Sequence, residues 1–256
     1  MFSPPSGRNL RANVTLAVAL ASAAGFVNAA GFLLLGVNTS HVTGTAAFLG
    51  EALGGGGQAL LWASIRLLLA FLFGAGTTAV LLELTRRWSR GRHAPALLCE
   101  LLLIGGVATW AQLHPGTLQP WLVLALAFAM GMQNALVTRV SGAVVRTTHL
   151  TGVVTDLGLE LVHWMRFWGS HLRSGGLLGL GHGVKGIFTD PSFGRAWLHL
   201  ALLVSFVGGA AGAAALLQRH GAWVMALPCA VLAILMFDDL VVSRPVREAD
   251  PERGEA

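Results

Sequence analysis

From residue 14 to residue 37 the chain carries no charge at all, a run longer than the roughly 20 residues a helix needs to cross the hydrocarbon core. Lipid offers no partner to a free backbone amide or carbonyl, so such a run has to fold as a helix. Similar apolar stretches follow at 60–84, 95–113, 120–138, 197–217 and 222–242. With 11% charged and 54% hydrophobic residues, against roughly 25% charged in soluble domains, the chain reads as an integral membrane protein of about six spans. The first run exceeds the roughly 7–15 apolar residues of a signal peptide, and is expected to stay as an uncleaved span.

Placing both termini in the cytoplasm leaves only Arg66 and Arg219, of 17 basic residues, on the outer side. That is a strong positive-inside pattern. The eight Trp fall near span ends or cytoplasmic interfaces, where an aromatic belt would put them. The basic residues therefore mark topology, and nucleic-acid binding is not expected. The partner that composition implies is the lipid bilayer, and a homo-oligomer is compatible with it. Cys99 and Cys229 lie inside apolar runs and read as inert buried thiols.

Within this apolar chain a polar word occurs twice. Thr39-Ser40-His41-Val42-Thr43-Gly44 recurs as Thr147-Thr148-His149-Leu150-Thr151-Gly152. Upstream, Gly25-Phe26-Val27-Asn28-Ala29 recurs as Gly131-Met132-Gln133-Asn134-Ala135, at nearly the same offset along the chain. Ala70, Gly74 and Thr78 of the second span find an echo in Gly208 and Gly212 of the fifth, spacing that lets helix backbones approach in lipid. These matches divide the single membrane domain into repeat one, 12–113, and repeat two, 120–242. Three is odd, so the second repeat is expected to run inverted, which places a shared site at the repeat interface. The Gly-, His- and Ser-rich stretch 169–196 lacks a counterpart and reads as a cytoplasmic loop insertion, with a polar tail at 243–256.

Thr43-Gly44 and Thr151-Gly152 each precede a helical run, with Thr suited to cap it and Gly to admit a close neighbour. The run 45–53 is about 13 Å of helix, half a bilayer, and suits a re-entrant segment returning through Gly54–Gly57. Its amino end would offer free amides to an anionic or polar solute, and His41 and His149 add groups that gain a proton near neutral pH. Plain surface capping turns are the competing reading.

Asn28 and Asn134 take matched places in spans one and four, with Gln133 beside the second, and buried amides need partners. Asp156, Glu160 and His163 form one stripe after the second motif. If that helix re-enters, Asp156 becomes a candidate proton or cation carrier. Glu83 and Glu100 are expected to pair with the Arg86–Arg92 run, and Asp238-Asp239 with Arg244. His163, His171 and His182 lack metal-box spacing, so neither a metal nor another cofactor is expected. No H-E-x-x-H, G-x-S-x-G, P-loop or CxxC pattern occurs, and the chain is expected not to be an enzyme.

Three stretches carry a family likeness: 24–32 (AGFVNAAGF), Ser40-His41-Val42-Thr43-Gly44, and Met130–Ala135 running on to Thr151-Gly152. In these the chain resembles the YoaK-like family of bacterial membrane proteins, domain of unknown function 1275. The resemblance implies a polytopic inner-membrane protein of about six spans and implies no substrate. The family usually carries Asp where Asn28 stands and Asn where Thr45 stands. An amide at 28 cannot carry a proton, which moves proton coupling to Asp156 or the histidines. The reading is an all-α bundle of two inverted three-span repeats, a secondary transporter or channel for a small polar or anionic solute. Its lining would be His41, Thr43, Gly44, His149, Thr151 and Gly152, with Asn28, Asn134 and Asp156 nearby. A non-transporting scaffold or sensor is the alternative.

Overall fold

A computed structural model describes residues 7–117, 119–140, 150–189 and 191–241. Eight α-helices follow one another among them: α1 Gly7–Leu35, α2 Val42–Glu51, α3 Gln58–Leu84, α4 Ala94–Leu113, α5 Pro120–Val140, α6 Leu150–Thr189, α7 Pro191–His220 and α8 Ala226–Val241. No strand forms among the described residues. Five stretches are long and apolar enough to cross a membrane: Val14–Leu35, Gln58–Leu84, Ala94–Leu113, Pro120–Arg139 and Gly194–Val241. The last, 48 residues long, is broken by Gly221 at φ +64 and a 3-10 turn over Gly221–Met225, so α7 and α8 share it.

α1 and α5 are the most enclosed helices, with 56% of their apolar windows buried against 17% for α3. Leu20, Ala24, Val27 and Ala30 of α1 and Leu122, Leu126 and Met130 of α5 make the centre of the core, joined by Ile104 of α4 and Leu232 of α8. Leu72, Phe73, Leu102, Val204, Ile234 and Phe237 point outward and are more than half exposed. A bilayer solvates such a surface, whereas water would not.

Two helix pairs dominate the packing, α1 with α7 and α3 with α5. Each is closed by reciprocal glycines. A Cβ on Gly25 would collide with the Phe206 carbonyl, and one on Gly209 with the Ser22 carbonyl. In the other pair a Cβ on Gly131 would collide with the Phe71 carbonyl, and one on Gly74 with the Phe128 carbonyl. The step along the chain from Gly25 to Gly131 equals that from Ser22 to Phe128, and the step from Phe71 to Phe206 equals that from Gly74 to Gly209. The echo of Gly74 is therefore Gly209. Gly208 meets nothing within 4 Å and Gly212 only the Phe26 ring, so neither expected glycine of the fifth span holds the register that Gly209 does.

Residues 169–189 continue α6 as helix, where a loop was expected. Each glycine there costs a helix only about 1 kcal/mol, no proline interrupts 150–189, and leucines recur through 177–180. Pro191 is the first residue of α7, a position where a proline is tolerated.

The acidic residues near the helix ends meet the expected pairings unevenly. Glu83 does pair with Arg86, at 3.5 Å on the surface. Asp239 accepts from the backbone amides of His93 and Ala94 and lies 2.8 Å from His93 Nδ1, so it caps α4 from α8. Its expected partner Arg244 falls outside the described residues. Glu100, expected at the Arg86–Arg92 run, is fully enclosed and has no hydrogen-bond partner among the described residues.

Candidate functional site

The first polar word forms a turn tied back onto α1. Asn28 Oδ1 accepts from both the amide and the hydroxyl of Ser40, at 3.2 and 2.9 Å, and Asn28 Nδ2 lies 3.4 Å from Asn38 Oδ1. α2 begins at Val42, three residues before the expected run 45–53. His41 occupies its N-cap without a side-chain capping bond, and Thr45 donates its hydroxyl to the His41 carbonyl at 3.0 Å. Thr43 is therefore not the cap but an exposed first-turn residue. Gly44 does admit a close neighbour, the imidazole of His41, which folds over the position a Cβ would take. The return after α2 runs through a π turn, with Gly55 at φ +118 and Gly57 at φ +99.

Between this turn, α2, α3 and the start of α5 lies a cleft of about 880 Å³. Its walls are mostly apolar, from Phe32, Phe48, Trp62, Leu67 and Val123, and its polar side chains are Asn38, His41, Thr45, Gln58, Ser64 and Arg66. No carboxylate lines it among the described residues. Arg66 has no ion-pair partner among the described residues. Thr43, Gly44 and Asn28 are not among its lining, and Asn28 acts from behind by holding the turn.

In the second half the described residues resume at Leu150, already in α6, and Leu150 holds the same place in its copy of the word as Val42, the first residue of α2. His149 lies outside the described residues. Thr151 is exposed and Gly152 half-buried, and Thr155 donates to the Thr151 carbonyl. Asn134 Oδ1 is buried with no hydrogen-bond partner among the described residues. Gln133 is fully enclosed and reaches the Leu20 carbonyl at 3.4 Å, the cross-helix partner a buried amide calls for.

Asp156 and Glu160 converge on a residue the sequence reading left out, His199 of α7. Its Nδ1 lies 3.2 Å from Glu160 Oε1 and its Nε2 3.9 Å from Asp156 Oδ2. The imidazole is 12% exposed and Asp156 53%, so the cluster runs from an enclosed histidine to an open carboxylate. His199 follows Ser64 by the same step along the chain that takes Phe71 to Phe206 and relates α3 to α7. That step was the available signal, once the glycine pairs had fixed it.

α2 packs on α3 and α6 on α7, and among the described residues α2 and α6 share no extensive contact. Among the described residues no group of three or more His, Cys, Asp or Glu could hold a metal ion.

Apolar helices of spanning length, an outward apolar surface and polar clusters set among them define a multi-pass helical membrane protein. The chain belongs to the DUF1275 family: the family model described as "Protein of unknown function (DUF1275)" matches residues 16–237. No curated protein and no solved structure matches the chain significantly.

Proposed function

We propose that the protein is a secondary transporter or channel for a small organic anion with an apolar body. In this reading six spans, α1, α3, α4, α5, α7 and α8, form two inverted-topology repeats with both termini in the cytoplasm. The exchange of partners supports the repeat: turning α1 into α5 and α3 into α7 converts each dominant helix pair into the other, and converts each glycine contact into its counterpart.

The observation that carries the anion is Arg66. A guanidinium on a spanning helix is expensive in lipid and is retained by default for a functional partner. Here it lines a largely apolar cleft beside His41, Thr45 and Ser64, with no carboxylate among the described lining residues. Guanidinium recognises carboxylate or phosphate oxygens in a planar, bidentate manner, and the aromatic and aliphatic walls suit the rest of such a molecule. Asp156, Glu160 and His199 supply titratable groups in the other half for coupling to protons.

The test is a thermal-shift panel of aliphatic and aromatic carboxylates and phosphate esters on the detergent-solubilised protein, followed by uptake into proteoliposomes. The reading expects at least one anion to raise Tm, and Arg66→Gln to abolish that rise while leaving the unliganded Tm within a few degrees. If no anion distinguishes the wild type from Arg66→Gln, the reading fails.

One observation favours a second reading, a non-transporting scaffold: α2 and α6 each pack within their own half. A scaffold expects the same panel and the same vesicles to give no binding and no flux.

A further inference from the structure

Glu100 sits on α4 beneath the capped end of the helix, about 10 Å along its axis from His93. It is 0% exposed, and neither carboxyl oxygen has a hydrogen-bond partner among the described residues.

Among the described residues, the elements packed on α4 bring no cation to it. From α8, Cys229 brings a thiol that points to the neighbouring Leu101 carbonyl at 3.9 Å, Asp239 is engaged at the α4 cap, and Asp238 is exposed. α5 contributes one charged residue, Arg139, exposed in its last turn. α3 carries Arg66, which lines the cleft, and Glu83, which pairs with Arg86. The turn Gly221–Met225 has no ionisable side chain. An unpaired carboxylate ion in such a place costs several kcal/mol even after relaxation, whereas a neutral carboxyl costs far less.

We propose that Glu100 is a proton-binding site inside the bundle, carrying a neutral carboxyl in this conformation and releasing its proton only where water or a cation reaches it. The ligand is the proton itself, and the site does not depend on the anion cleft.

Two readouts on the full-length protein in lipid test this, and neither needs a transported solute, so either reading can fall while the other stands. Infrared difference spectra of wild type against Glu100→Gln at neutral pH are expected to contain the carbonyl stretch of a protonated carboxylic acid, lost in the variant. A spectrum without that band overturns the proposal. The second readout needs no variant. Dicyclohexylcarbodiimide, which attacks protonated carboxyls in apolar surroundings, is expected to modify Glu100 about tenfold or more above Glu83, as read by peptide mass spectrometry, while a charged water-soluble carbodiimide favours Glu83. If the water-soluble reagent labels Glu100 as readily as Glu83, the site is open and ionised, and the proposal is wrong.

Discussion

Gly25 of α1 lies against the backbone carbonyl of Phe206 of α7, close enough to leave no room for a side chain. Gly131 stands to Phe71 in the same way in the α3–α5 pair. In lipid the drive for helix association comes from such packing, because acyl chains solvate apolar side chains as well as a neighbouring helix does. The two helix pairs are thus built from one contact used twice.

Enlarging these glycines forces the helices apart. Gly25→Val and Gly131→Val are each expected to destabilise the protein by about 1–3 kcal/mol or more, read as a lower Tm in detergent. Gly208→Ala, at a helical position with nothing within 4 Å, is expected to be neutral or to stabilise by up to about 1 kcal/mol. Similar losses at Gly25 and Gly131, with none at Gly208, would match the reciprocal geometry.

Asn28 holds the turn before α2 through two bonds from Ser40. Asn28→Ala removes both and is expected to cost about 1–3 kcal/mol. Asn28→Asp keeps the accepting oxygen and is expected to stay within about 1 kcal/mol of wild type. Hydrogen exchange of the Ser40 amide gives a local readout, faster in the alanine variant and unchanged in the aspartate one.

Asp239 caps α4 from α8 with a carboxylate shared by two amides and an imidazole. Asp239→Ala leaves the amides of His93 and Ala94 without that acceptor, and a loss of about 1–3 kcal/mol is expected. His93→Ala alone is expected to cost less, since the two amide bonds survive. A scan of Tm over both variants checks the order.

His199 and Glu160 are in direct contact across α6 and α7. A double-mutant cycle of His199→Ala and Glu160→Gln is expected to return a coupling of about 0.5–3 kcal/mol. The same cycle between His199 and Glu83, which share no contact, is expected to be additive within about 0.5 kcal/mol.

The helical fold was legible because apolar length alone forces it, and the duplicated words pointed to Gly25, Gly131, Asn28 and the short helix α2, though not to its first residue. What escaped depended on partners far apart in sequence. His199 stands alone among apolar residues in the sequence, and only the packing of α6 on α7 brings Glu160 to it. Arg66 read as an outer-side topology marker, although it lines the cleft. Glu100 looked like an interfacial ion-pair member because the Arg86–Arg92 run is near in sequence, yet the face of α4 that carries Ala96, Leu97 and Ile104 turns it inward. Glycine content suggested a loop at 169–196, but glycine weakens a helix without ending it, and the chain has no proline there until Pro191.

Water access to the cleft is the most direct measure of whether solute passes beside Arg66. Cys99 and Cys229 are replaced by alanine, and a single cysteine is placed at Ser64, a buried residue that lines the cleft. Intact cells and inverted vesicles are then exposed to small and large membrane-impermeant thiol reagents. A transport pathway predicts that the small reagent reacts from at least one side, that the large one does not, and that an anion which raises Tm slows the reaction. A cysteine at 64 that stays unreactive from both sides would mean that lipid or packed protein fills the cleft, and the transport reading would be wrong.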